Sequence, residues 1–142
     1  MTPEMNRLLT EIEPGAPMGN LLRRYWHPVA GLSEFADRSI KPIRLFGEDL
    51  ILFRKESGTF GLIARKCQHR GADLSYGFVE GEGLRCHYHG WKYDASGACI
   101  ERPFDESIHP DRKFVAKDAV GYLAREKAGM LWVYMGPLPA PE

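Results

Sequence analysis

The chain has 142 residues, 44% of them hydrophobic and 27% charged, enough for one domain with its own core and too few for two large ones. Nineteen Lys and Arg balance nineteen Asp and Glu, so no bulk field draws in nucleic acid or an anionic membrane, and partners must be selected by local surface. With no apolar run near the roughly 20 residues of a membrane span, and no basic-then-apolar opening, the expectation is a cytoplasmic protein without nucleic-acid or membrane contact.

Thr2-Pro3-Glu4 opens the chain as a helix N-cap, a proline at N1 and an acid in the first turn, and Met5, Leu8, Leu9 and Ile12 follow at helical spacing as far as Pro14-Gly15. Met18, Leu21, Leu22 and Tyr25 repeat that spacing in a second short helix, which stops before His27-Pro28. Both helices are one-sided, and each is expected to pack on β-structure. From Val29 the texture changes to strands at 43–46, 50–54 and 60–64, with a Glu56-Ser57-Gly58 turn between the last two.

The strand at 60–64 leads into Cys67-Gln68-His69-Arg70-Gly71. A strand at 84–86 feeds Cys86-His87-Tyr88-His89-Gly90-Trp91, and residues 91–93 leave it for an Asp94-Ala95-Ser96-Gly97 turn and a return strand at 98–101. Residues 103–118 are polar with two prolines and read as a long surface excursion before strands at about 119–125 and 130–135. The last seven residues, Gly136-Pro137-Leu138-Pro139-Ala140-Pro141-Glu142, read as a stiff linker, with the expectation that the native chain continues.

Each of the two short runs supplies one thiolate and one imidazole on a tight loop, as C-x-H at Cys67 and His69 and as C-x2-H at Cys86 and His89. A Rieske centre uses this set, with two Cys on one iron, two His on the other and sulfide completing the [2Fe-2S] unit. The expected ligands are Cys67 and Cys86 for the inner iron and His69 and His89 for the outer one. Exchanging two thiolates for neutral imidazoles removes negative charge and eases reduction, over a range of roughly −150 to +300 mV. The chemistry implied is one-electron transfer. Two Cys and two His also make a tetrahedral zinc set, although zinc modules usually pair Cys with Cys and His with His, whereas each loop here is mixed.

With two cysteines committed to metal, Cys99 has no disulfide partner, which fits a reducing compartment; it reads as a small buried hydrophobe. His27 beside Pro28, His87 inside the second loop and His109 before Pro110 offer no further ligand set and read as structural or solvated. Lys66, Arg70, Arg85 and Lys92 flank the ligands and read either as a docking face for an acidic electron donor or as an ordinary solvated face. Gly71, Gly77 and Gly90 are expected to let backbone amides approach the cluster, and Trp91 to sit beneath the second loop or in the core.

On C-x-H-R-G at Cys67 to Gly71 and C-x-Y-H-G-W at Cys86 to Trp91, the chain resembles the N-terminal Rieske domain of the ring-hydroxylating oxygenases. Asn6-Arg7-Leu8-Leu9-Thr10, Pro17-Met18-Gly19 and Arg24-Tyr25-Trp26 make it most similar to the phthalate dioxygenase-like branch. The resemblance implies a mostly β Rieske iron–sulfur fold of small antiparallel sheets with two cluster-binding hairpin loops, preceded by two short N-terminal helices. It divides the chain into helices at 1–27, a Rieske [2Fe-2S] domain at 28–136 and a Pro-rich linker at 137–142 towards a catalytic domain.

Respiratory Rieske proteins carry an additional cysteine in each loop; here those positions look like Ala72 and Tyr88, which implies the low-potential type. The implied donor is an NAD(P)H-dependent flavin or iron–sulfur reductase or a ferredoxin, and the implied acceptor is a mononuclear non-heme Fe(II) in the catalytic domain, held by two His and a carboxylate. The family also links the second-loop His, here His89, to that iron through an Asp of a neighbouring subunit, and gives His69 and His89 redox-linked protonation. No catalytic residue is assigned within the 142 residues. The implied function is electron relay in an aromatic ring-hydroxylating or O-demethylating oxygenase, a homotrimer at full length. The alternative is a stand-alone Rieske ferredoxin, which the one-domain length favours and the two helices, the long insertion and the terminal prolines disfavour.

Overall fold

Two antiparallel sheets organise the computed structural model, which describes residues 1–108 and 117–142. The first holds β1 (Trp26–Gly31), β2 (Ile40–Leu45), β3 (Glu48–Arg54), β4 (Phe60–Ala64), β9 (Gly121–Lys127) and β10 (Met130–Tyr134), in the order β1-β10-β9-β4-β3-β2. The second, in sequence order, holds β5 (Phe78–Glu80), β6 (Gly83–Arg85), β7 (Lys92–Tyr93) and β8 (Cys99–Glu101).

The run Leu50-Ile51-Leu52-Phe53 in β3 is wholly buried, and its continuity has a reason: successive side chains point to opposite faces of a strand covered on both sides. Leu50 and Leu52 join Phe35, Leu62, Leu131 and Val133 in one core. Ile51 and Phe53 join Ile63, Leu74, Leu84, Trp91, Tyr93, Cys67 and Cys86 in a second core, between the two sheets. The cysteines of both sequence motifs therefore lie in the second core.

At the N-terminus α1 (Pro3–Thr10) forms as its sequence prescribes, with Thr2 Oγ1 accepting the Met5 N–H at 3.2 Å and Pro3 opening the first turn. The expectation that its apolar face packs on β-structure fails. No residue of α1 is buried, and Met5, Leu8 and Leu9 remain nearly half exposed. The second helix, α2 (Pro17–Leu22), ends earlier than its spacing suggests, because Trp26 and His27 are drawn into β1 opposite Tyr134 and Val133 of β10. Arg23, just past α2, is buried: its guanidinium meets the Glu48 carboxylate and donates to the Phe46 carbonyl at 2.9 Å, while Tyr122 donates to the same carboxylate at 2.8 Å.

The polar excursion expected at 103–118 contains a helix, α3 (Pro103–Ile108), opened by its proline. His109 lies outside the described residues. The strand β5 has no signature in the sequence, since Phe78-Val79-Glu80 is too short to show a period and is fixed by pairing with β6. Among the described residues no helix is long and apolar enough to cross a membrane.

Candidate metal centre

The two motifs fold into loops of one construction. In the first, at the end of β4, the Gly71 N–H donates to the Cys67 carbonyl and the Cys67 N–H donates to the Ala72 carbonyl, both at 2.8 Å. In the second, between β6 and β7, the Gly90 N–H donates to the Cys86 carbonyl at 3.1 Å and the Cys86 N–H to the Trp91 carbonyl at 2.8 Å. Gly71 and Gly90 close these turns at φ +74° and +75°, a conformation that side chains with a Cβ rarely take. Gly77 does not serve the loops: a Cβ there would lie 2.4 Å from the Arg85 carbonyl, so its bareness lets the chain pass β6.

This frame turns sulfur inward and imidazole outward. Cys67 and Cys86 are 3% and 2% exposed, with their thiols in contact. Burial pushes the Cys86 thiol up, and the neighbouring Cys67 adds to this, while the N–H groups of Tyr88 and His89 bond the sulfur and oppose the rise. Those N–H groups are placed to meet a negatively charged sulfur. His69 and His89 are half-buried, their rings 4.7 Å apart edge to face. Trp91, from the second loop, stacks on His69 of the first at 4.9 Å and 7° between planes, and Tyr88 lies 3.8 Å from His89. Trp91 thus ties one loop to the other.

The four side chains form a sulfur pair and an imidazole pair, and among the described residues no His, Cys, Asp and Glu set is gathered for a single metal ion. Two buried sulfurs beside two half-exposed imidazoles suit a binuclear group with a sulfur-held and a nitrogen-held end.

Each loop is clamped by an arginine just before its cysteine. Arg65 places Nε and Nη2 on Asp73 Oδ2 at 2.9 and 2.7 Å, across the base of the first loop, and Asp73 Oδ1 accepts the Ser75 N–H at 2.8 Å. The guanidinium, with Ser75 behind it, holds the Asp73 carboxyl at about 2. Arg85 donates to the Gly90 carbonyl at 2.8 Å inside the second loop and pairs with Glu80 and Glu101. Lys92 bridges the same two glutamates at 3.1 Å. This lattice spans β5 to β8 and leaves Arg85 and Lys92 only 15% and 12% exposed, so neither is a docking cation. Lys66 and Arg70 are exposed.

Sequence reasoning missed Tyr93. Its ring is fully buried, and its hydroxyl accepts the Gln68 N–H at 3.0 Å and lies 3.2 Å from Cys67 Sγ; either group can donate across that contact, and against a thiolate, which has no hydrogen, the hydroxyl is the donor. Burial pushes the phenol well above its usual range, which keeps that proton in place. The available signal was a hydroxyl-bearing aromatic on the strand that leaves a ligand loop. His27 binds the Leu22 carbonyl through Nε2 at 2.7 Å and rests its ring on Phe46, a structural role, while His87 is exposed beside Tyr76. Cys99 is half-buried, its thiol pushed up to about 11 chiefly by burial.

The Rieske [2Fe-2S] domain model matches residues 25–116, which include both loops. The chain is 51% identical over its whole length to the oxygenase subunit of 5,5'-dehydrodivanillate O-demethylase from Sphingobium sp., covering 34% of that protein. It is 43% identical over 99% of its length to the phthalate 4,5-dioxygenase oxygenase subunit of Pseudomonas putida, covering 32% of it. Among solved structures, the QL mutant of NdmA from Pseudomonas putida CBB5, with theobromine, superposes with a TM-score of 0.70 at 30% identity, over 80% of this chain and 34% of that one. The chain spans about a third of the length of the curated relatives it matches.

Proposed function

The chain belongs to the Rieske [2Fe-2S] domain family, and from that premise we propose that Cys67 and Cys86 hold the inner iron of the cluster and His69 and His89 the outer one. The observation that carries this reading is the pair of like-built loops, which put both sulfurs in the core and both imidazoles side by side, half-buried. When bound, the cluster supplies one-electron exchange at a potential set by the charge, the hydrogen bonds and the solvent around it. The residues around it act on those quantities. Tyr93 and the N–H groups of Tyr88 and His89 direct hydrogen at the sulfurs, Trp91 shields His69, and Arg65 and Arg85 hold the loops closed.

At the level of the whole protein, the proposed role is electron relay in an aromatic ring-hydroxylating or O-demethylating oxygenase. The partial coverage of oxygenase subunits supports a polypeptide that continues into a catalytic domain with a mononuclear iron as acceptor. A reductase or ferredoxin is the proposed donor, a homotrimer the assembly and the cytoplasm the compartment. The exposed Lys66 and Arg70, beside the first loop, favour a donor with an acidic face.

Two measurements test this. In the reduced, iron-loaded protein, electron paramagnetic resonance is expected to give a Rieske signal that Cys67→Ser abolishes and His89→Cys converts to that of a cluster richer in thiolate ligands; an unchanged signal refutes the ligand assignment. Intact mass of the native polypeptide tests the relay: a chain hundreds of residues longer agrees with an oxygenase, and one ending at Glu142 leaves a Rieske ferredoxin.

A further inference from the structure

Away from the metal loops, the larger sheet ends in an aromatic corner that holds the chain's own C-terminal residues. Trp26 of β1 faces Tyr134 of β10 in register, their rings 5.5 Å apart, and the Arg125 guanidinium lies over the indole at 5.2 Å. After Tyr134 the chain turns back across this corner. Tyr134 Oη donates to the Pro137 carbonyl and Trp26 Nε1 to the Pro141 carbonyl, both at 2.8 Å. Gly136 makes the turn possible, because a Cβ there would lie 2.6 Å from the Arg23 carbonyl and 2.7 Å from the Tyr134 hydroxyl. Beyond the docked strand a pocket of about 380 Å³ opens between Trp26, Trp132, Arg125 and Lys127, with Glu142 at its wall.

The chemistry of the strand matches this seat. Residues 137, 139 and 141 are prolines, which have no N–H and cannot extend the β10 ladder. Their carbonyls still accept, and the corner presents two side-chain donors spaced along them. Proline also has less freedom to lose on ordering than other residues, so two fixed donors suffice to hold it.

We propose that the Trp26–Tyr134 corner is a docking seat for a proline-rich strand, that residues 136–142 of this chain occupy it, and that the docked strand is a fixed strut rather than a flexible tether. The strut places Glu142 at a defined position relative to the metal loops. What this means for electron transfer rests on the proposed continuation into a catalytic domain, which the strut would hold at a set bearing; the docking itself does not depend on that continuation.

The test is nitrogen-15 relaxation on the iron-loaded 142-residue protein, read at the Leu138 and Ala140 amides. Order parameters near 0.85, the level of rigid backbone, are expected in the native sequence, with a fall below 0.6 in Trp26→Phe/Tyr134→Phe, which removes both donors and keeps both rings. Gly136→Ala is expected to produce the same fall by lifting the strand from the corner. Amides of β3 and β4 report that the fold persists. Values below 0.6 in the native sequence, or values unmoved in both variants, overturn the proposal. A native chain ending at Glu142 would remove the catalytic-domain reading and leave these order parameters where they are, so the two failures are distinct.

Discussion

Tyr93→Phe removes one oxygen from the buried face of the proposed cluster site and leaves the ring in place. That oxygen lies 3.2 Å from Cys67 Sγ and takes the Gln68 N–H at 3.0 Å. A hydrogen bond to a charged acceptor contributes about 1.5–3 kcal/mol. Sulfur carries more negative charge after reduction and accepts more strongly, so a part of that energy, about 1 kcal/mol, favours the reduced state. A one-electron couple moves about 59 mV for each tenfold change in equilibrium constant, which is about 1.4 kcal/mol, so the potential of Tyr93→Phe is expected about 40 mV below that of the native protein. Dye-mediated spectroelectrochemical titration of both proteins in one buffer measures it. A shift of less than about 10 mV, or an upward one, refutes the claim that this hydroxyl donates to a cluster sulfur. The stranded Gln68 N–H adds an independent expectation, a loss of about 1–3 kcal/mol in urea unfolding.

Arg85→Met removes the donor to the Gly90 carbonyl and is expected to speed bleaching of the cluster by a chelator several-fold, whereas Lys92→Met, which leaves that bond intact, changes it little. Equal bleaching in the two variants would show that the charge lattice, and not the bond into the loop, holds it closed. Asp73→Asn tests the first loop. Its folded carboxyl sits at about 2, below its usual 3.8, so the stabilisation is complete above about pH 4 and is lost as pH falls through 2. Fully desolvated, that depression would be worth about 2.5 kcal/mol; with about a third of both side chains in solvent, about 1 kcal/mol is expected at neutral pH. Urea midpoints of native and Asp73→Asn protein should differ at pH 7 and converge towards pH 2, and a pH-independent gap would refute the pairing.

The two Cys/His loops were legible because their signal is chemical and local: cysteine and histidine within three residues of each other, on loops that glycine must close. The Thr2 cap and the continuous apolar run of β3 were legible for the same reason. What could not be read depends on partners distant in sequence. Trp26 and His27 look like a helix end until β10 is placed beside them, over 100 residues away. Arg85 and Lys92 look like surface cations in sequence, and only the pairing of β5 to β8 brings Glu80 and Glu101 to neutralise them. Tyr93 looks like an ordinary strand aromatic, since its hydroxyl meets a loop from the other sheet. The face of α1, apolar by spacing and yet exposed, shows that periodicity specifies a one-sided helix without specifying what covers that side.

The first cysteine loop extends from the six-stranded sheet and the second from the four-stranded one, so a bound cluster is also a suture between two halves of the molecule. In the proposed ligand set its protein bonds run from residues 67 and 69 to residues 86 and 89, across the boundary between the sheets. Because the group binds the folded arrangement, its affinity adds to folding stability. On the proposed ligand set, iron loading is expected to protect the smaller sheet: without the cluster it would be joined to the larger by the chain itself, side-chain packing and hydrogen bonds, and proteases should reach β5 to β8 first. Cellular abundance would accordingly follow metal availability with no change in transcription.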